Sequence, residues 1–202
     1  MLLGQENDQE EYLRSGPFLM ARARRIQLPL TDDDTSELKV GDSVLISGSV
    51  ALVAGIETHR RVLDESPDSP IASKLLGSVI YHGPAYIDKL RGRLTLHYLG
   101  VTTSSRFEDY IPRIIEKYSI RGIIGKGGLD KKILPILRDQ KCLYFAAPGG
   151  CAALFTTKVR TVGDIFWEDL ALPYRLSFLE VHDFGPVIVT MDAHLGSLYG
   201  AA

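Results

Sequence analysis

Three short apolar runs in the middle and second half of the chain each end in a glycine-rich loop, and that punctuation constrains the fold most. Leu94, Leu96 and Tyr98 alternate with Thr95 and His97 and stop at Gly100. Residues 120–124 run into Gly125-Lys126-Gly127-Gly128, and residues 142–147 into Pro148-Gly149-Gly150. Helical spacing lies between these runs: Ile111, Ile114, Ile115 and Tyr118, then Leu129, Ile133, Ile136 and Leu137. Pro112 fits a first turn, and Pro135 shortens or kinks the second helix. Residues 162–167, 176–181 and 187–191 read as further strands. The pattern predicts an α/β fold, a mixed or parallel sheet with helices in the second half.

The first half reads as β-rich, with no requirement that it join the same sheet. Ile26, Leu28 and Leu30 alternate with polar residues, and residues 31–34 form a cap or turn cluster. Short apolar runs at 44–46 and 50–53 are broken by Gly41, Gly48 and Gly55. Residues 64–70 contain two prolines and read as a loop, and residues 79–81 form a strand that stops at His82-Gly83-Pro84. Residues 1–24, with a charged run and the cluster Arg22, Arg24 and Arg25, are expected to be a loosely docked tail before a domain spanning 25–202.

Composition excludes several function classes. A length of 202 residues and a formal charge of −2 argue against electrostatic binding to nucleic acid or to an anionic membrane. No apolar run approaches the roughly 18 residues of a membrane span. The two cysteines, Cys142 and Cys151, are too few for a disulfide framework, a zinc site or an iron–sulfur cluster. Acids near the amino terminus occupy the place where a secretory leader needs cations, so a cytoplasmic location is expected.

The chemistry-bearing residues lie in the loops. Thr102, Thr103, Ser104 and Ser105 place four hydroxyls after a strand, and Arg106 adds a planar fork suited to a carboxylate or phosphate. The same residues also suit a helix cap. Lys126 sits among Gly125, Gly127 and Gly128, where a ligand can approach the backbone, although a solvated lysine in a tight turn fits the spacing equally. It is not a nucleotide-binding P-loop, because Gly127 follows the lysine. Gly149-Gly150-Cys151 opens a stretch suited either to an anion or to close packing, and Cys151 reads equally as a small buried hydrophobe or a thiolate. His59, in a charged cluster, could orient a site residue. His82 could hold a turn, and His97 reads as structural.

These pieces occur in a recognisable order. The chain resembles the β subunit of the iron–sulfur hydro-lyases, the group of L-tartrate dehydratase and class I fumarase. The likeness is carried by Leu38-Lys39-Val40-Gly41-Asp42, Ser47-Gly48, His59-Arg60-Arg61, His82-Gly83-Pro84, Gly100-x-Thr102-Thr103-Ser104-x-Arg106 and Ile124-Gly125-Lys126-Gly127-Gly128. It continues through Gly149-Gly150-Cys151-Ala152-Ala153, Trp167-Glu168-Asp169-Leu170, Asp183-Phe184-Gly185-Pro186 and Asp192-Ala193-His194, covering about residues 26–200.

The resemblance implies a swivelling β/β/α domain and reversible dehydration of a hydroxy-dicarboxylic acid of the malate or tartrate class. It implies a hetero-oligomer whose α subunit binds a [4Fe–4S] cluster through three cysteines, the β chain being inactive alone. By matching position it implies Thr102 as the proton-transfer residue, with Thr103, Arg106 and Lys126 binding substrate, and His59, Gly125 and Gly127 in support. One departure stands out. Where the family usually carries Arg-Asp-x-x-His, this chain has Gly55-Ile56-Glu57-Thr58-His59. The expectation is therefore an altered substrate or weakened turnover, the alternative being a non-catalytic dicarboxylate-binding relative.

Overall fold

A computed structural model describes residues 23–90 and 92–200. The stretch read as a tail lies, up to Arg22, outside the described residues. The elements in chain order begin with β1 (Arg24–Gln27), α1 (Asp32–Glu37), β2 (Ser43–Leu52), α2 (Ile56–Asp64), α3 (Pro70–Leu75) and β3 (Val79–Tyr81). A hairpin of β4 (Ala85–Leu90) and β5 (Arg93–Leu99) follows, then α4 (Ile111–Tyr118), β6 (Gly122–Gly125), α5 (Leu134–Asp139), β7 (Leu143–Ala146), β8 (Val159–Phe166) and β9 (Leu176–Met191). Single-turn or irregular 3-10 segments lie at Ser104–Phe107, Lys131–Ile133, Gly150–Lys158 and Leu172–Tyr174.

Seven strands make one mixed sheet in the order β1-β2-β3-β6-β7-β9-β8, with β4 and β5 forming a separate hairpin. Strands β1, β2, β3, β6 and β7 are mutually parallel. β9 runs antiparallel to β7 and β8, and it also pairs with β2 along most of its length, so β2, β3, β6, β7 and β9 close into a ring. The mixed α/β expectation holds, with one addition and one correction. The first half, left open by the sequence, joins the sheet through β1, β2 and β3, while the β4–β5 hairpin stays apart. Helices are also not confined to the second half, since α1, α2 and α3 precede β3.

Side-chain alternation explains how one sheet serves two cores. Val79, Tyr81, Ile124, Leu143 and Phe145 point into the ring, against Ile46, Leu52, Leu179 and Phe184. Their neighbours Ile80, Ile123 and Tyr144 point outward, under Val62, Leu75, Ile111, Ile114, Ile115 and Leu137 of the helices. Strands buried on both faces read as continuous apolar runs, which is the pattern at 120–124 and 142–147.

Local signals behaved unevenly. Thr31 caps α1 reciprocally: its Oγ1 accepts from the Asp34 amide at 3.1 Å while Asp34 Oδ2 accepts from the Thr31 amide at 2.9 Å. The loop expected at 64–70 ends in a helix start, because Ser69 Oγ accepts from the Ala72 amide and Pro70 fills the first turn. Runs 44–46 and 50–53 are one ten-residue strand, and 176–181 and 187–191 are one sixteen-residue strand, each pair bridged by irregular residues. α2 had no apolar period to announce it, since its buried face is Thr58, His59 and Val62.

The Tyr81 hydroxyl is buried and has no hydrogen-bond partner among the described residues. An orphaned buried hydroxyl costs about 1–3 kcal/mol of desolvation. Tyr81→Phe is therefore expected to leave stability unchanged or to raise it by about 1 kcal/mol. A drop of 2 kcal/mol or more in urea unfolding would show that the hydroxyl has a partner.

Candidate functional site

The carboxyl ends of β2, β3, β6 and β7 lie at one edge of the sheet, where α/β proteins gather ligands. After β3 the chain leaves the ladder at Gly83, and the Thr102–Ser104 segment takes the place it vacates. The Thr102 amide donates to the His82 carbonyl at 2.8 Å, the Lys126 amide to the Thr102 carbonyl at 3.1 Å, and the Ser104 amide to the Lys126 carbonyl at 3.1 Å. Thr103 and Lys126 thus face each other across a short parallel bridge. The exchange needs two chain segments in near contact: a Cβ at position 83 would overlap the Gly100 carbonyl oxygen.

This edge opens into a cleft of about 680 Å³. Gly55, Ile56 and Glu57, at the amino end of α2, form one wall, and Thr102, Arg106 and Phe107 form the other. The Tyr174 ring closes the side, and a Cβ at position 55 would lie 2.9 Å from its Cδ1. The position where the resembled family usually carries an arginine is therefore packed against an aromatic ring. Arg60 and Arg61 do not replace that arginine. Arg60 pairs with Glu57 at 2.9 Å, while Arg61 pairs with Asp169 and Glu57. These contacts hold the Glu57 carboxyl below its usual range, Arg60 contributing most, and Arg61 does the same for Asp169.

Thr102 and Arg106 share the cleft. Lys126 is joined to Thr103 through the backbone, and its side chain runs past Gly149, with Cδ 3.3 Å from where a Cβ there would lie. The third glycine loop thus packs against the second rather than opening separately. Gly127 borders Thr103, with room for a Cβ 3.7 Å from the Thr103 methyl but at a φ of 75°.

Gly125 has the firmest role of the supporting glycines. A Cβ there would overlap the Ser104 hydroxyl and lie 3.0 Å from the Tyr144 hydroxyl, both fully buried. Gly125→Ala should push Ser104 out of place and cost about 3 kcal/mol, the upper range for overpacking. An unchanged thermal midpoint would contradict the packing described.

Both central histidines are buried beneath the cleft. His59 stacks on Phe107 with ring centroids 3.9 Å apart, and its Nε2 lies 3.3 Å from His82 Nε2. Burial pushes the His59 pKa down to about 4, partly offset by its hydrogen bond to Gly55, and holds His82 well below the ordinary value. Sequence reasoning had singled out both residues but had no means of pairing positions 23 apart. Ser104 completes the cluster from the hydroxyl loop, as a buried link rather than a ligand group, and Tyr144 carries no signal in the sequence.

Other motif residues are structural. The Asp192 carboxylate accepts from the amides of Val40, His194 and Gly196 at 2.8–3.0 Å, clasping the Leu38–Asp42 turn to the end of β9. His97 pairs with Asp88 on the hairpin at 2.9 Å. Cys142 is wholly buried in apolar surroundings, which pushes its thiol far up and makes it unsuited to metal. No group of three or more His, Cys, Asp or Glu side chains among the described residues is arranged to hold a metal ion. With Cys142 sealed in the core, the donor set among the described residues does not fit a [4Fe–4S] cluster.

The Fumarase C-terminus family model matches residues 4–202. The chain belongs to the Fumarase C-terminus family. It is 36% identical over 172 residues to a Methanocaldococcus jannaschii protein provisionally named L(+)-tartrate dehydratase subunit beta, covering 84% of this chain and 88% of that one. It is 29% identical to the L(+)-tartrate dehydratase subunit beta of Escherichia coli K12 over 84% of this chain and 83% of the relative. It is also 35% identical to a Geobacillus stearothermophilus protein provisionally named class I fumarate hydratase, covering 96% of this chain and 37% of that longer one. Within this Fumarase C-terminus chain, no helix among the described residues is long and apolar enough to cross a membrane.

Proposed function

We propose that this chain is the β subunit of a hydro-lyase that reversibly removes water from a hydroxy-dicarboxylic acid, and that it works with a cluster-bearing α subunit. The observation that carries this reading is the convergence of Thr102 and Arg106 on one cleft at the carboxyl edge of the sheet. The names of the relatives support the reaction class, and two of them, named as β subunits, support a separate partner. The [4Fe–4S] cluster is assigned to that partner, and among the described residues of this chain no group of three or more ligating side chains competes for it.

The residues of this chain have two tasks. Arg106 pairs with a substrate carboxylate through two parallel N–H donors and stabilises the enolate-like charge that develops when the adjacent C–H bond breaks. The Thr102 hydroxyl stands beside it as the group that moves that proton. An unassisted threonine is a weak base, so its activation comes from a neighbour on the partner's side of the cleft. Lys126 and Thr103 flank the loop and supply charge and hydroxyl density to the far carboxylate. Tyr174 and Ile56 rather than a cation line the opposite wall, so Lys126 is left to meet the charge of the far carboxylate.

Anaerobic purification of the tagged chain from its own cells tests the reading. The expected result is a brown, near-stoichiometric, cysteine-rich partner and a complex that interconverts a hydroxy-dicarboxylate with its unsaturated product. A colourless chain recovered alone, with a thermal midpoint raised by dicarboxylates, would point instead to a binding protein without turnover.

A further inference from the structure

Four fully buried polar side chains lie in single file under the cleft, and the position of every proton among them follows from chemistry. The Gly55 carbonyl can only accept, so His59 Nδ1, 2.7 Å away, carries its proton toward it. His59 is neutral, which leaves Nε2 as a bare acceptor. His82 Nε2, 3.3 Å away, must therefore be the donor. His82 is neutral as well, so its Nδ1 accepts from the Ser104 hydroxyl at 2.9 Å. The Ser104 oxygen in turn accepts from the Tyr144 hydroxyl at 2.9 Å.

This line is poorly built for moving protons. It starts at a phenol that burial holds protonated and ends at a backbone carbonyl that takes up no proton. Its Gly55 end and its Ser104 member belong to opposite walls of the cleft. Gly55 belongs to the α2 wall, and Ser104 stands between Thr102 and Arg106 in the other. Phe107, which lines the cleft, stacks on the His59 ring and meets the His82 ring edge-on.

We infer that His59 and His82 are positioning residues, a rigid strut from Gly55 to Ser104 that fixes the spacing of the cleft walls and thereby the aim of Thr102 and Arg106. The roles of Thr102 and Arg106 rest on the proposed function, while the strut itself rests on geometry alone.

Two variants separate a strut from general packing. Ser104→Ala removes the hydrogen-bonded link between the walls and leaves the Phe107–His59 stack in place. Tyr144→Phe removes one buried hydroxyl from the same cluster but leaves the Gly55–His59–His82–Ser104 line whole. In the assembled complex, Ser104→Ala is expected to lower kcat/KM by about tenfold to 100-fold, the scale of a small misplacement of reacting groups. Tyr144→Phe is expected to stay within about twofold of the wild type, with a similar shift in thermal midpoint. Hydrogen exchange on the full chain provides a readout independent of activity. Ser104→Ala should speed exchange at both 55–59 and 102–106, and Tyr144→Phe at neither.

Parallel loss of activity and stability in both variants, or exchange that quickens on only one wall, overturns the inference. So does an NMR assignment of the proton to Nε2 of His59. If the wild-type complex shows no turnover, the hydro-lyase reading fails, and the exchange and NMR results still decide the strut.

Discussion

Replacing Arg106 by leucine is expected to lower kcat/KM of the assembled complex by about 100- to 1,000-fold without weakening the fold. The side chain is exposed, lines the cleft and forms no salt bridge among the described residues, so the native state does not depend on its charge. A truncated charged partner in a recognition site costs about 2–5 kcal/mol, and each 1.4 kcal/mol is tenfold. The loss should appear in both KM and kcat, because the guanidinium holds the bound carboxylate and also the charge that develops next to it. Thr102→Val preserves shape and removes only the hydroxyl, so its loss should fall mainly on kcat. A complex with intact cluster and unchanged kcat/KM after Arg106→Leu would remove this loop from the reaction.

Acidification from pH 6.5 toward pH 4 is expected to destabilise the chain steeply, and the two buried histidines are the reason. His59 has its pKa pushed from 6.5 to about 4 in the folded state, and His82 is lowered in the same direction. Below pH 6.5 the unfolded chain takes up protons that the folded chain refuses, so unfolding becomes more favourable as pH falls. His59 contributes about 1.4 kcal/mol per pH unit through that window, roughly 3 kcal/mol across all of it, and His82 acts in the same direction. Only the Gly55 carbonyl, which accepts from His59, offsets this in part; the other described neighbours are the Ser104 hydroxyl, the second ring, Phe107 and Tyr110, none of them an anion.

The lowered surface carboxylates act in a different window. Lys141 and Arg121 beside Asp32, and Arg60 and Arg61 beside Glu57, favour the ionised forms. Their stabilisation is present above the ordinary carboxylate pKa and is lost only below about pH 4. Urea midpoints measured from pH 7 to pH 4.5 should therefore show the histidine slope, and His59→Gln should make it shallower even though the protein is weaker overall. A flat profile over that range would mean that the imidazoles are solvated.

Proteins that pack α/β layers announce their strands more clearly than their sites, and this chain follows that rule with informative exceptions. Residues 120–124 and 142–147 are apolar throughout because both faces of β6 and β7 are covered, and that pattern is visible without coordinates. The helix at 111–118 was legible from its period, with Pro112 in its first turn. α2 was not, because it buries Thr58 and His59 where a periodic reading looks for leucine. The joining of the first half to the sheet depends on β9 pairing β2 and β7 at once, a long-range choice that leaves no local mark.

The same division runs through the site. The family resemblance, the glycine-closed strand ends and the hydroxyl-and-arginine loop are legible without coordinates, because those features depend on residue type and short spacing. Which of them meet is set by the folded chain. It put Thr102 and Arg106 in one cleft, turned Lys126 toward Gly149, and set Tyr174 against Gly55. It also joined His59, His82, Ser104 and Tyr144, spread over 86 positions, into one buried line. Hydrogen bonds between residues so far apart in the chain form only after the sheet has closed, so no local pattern in the sequence encodes them.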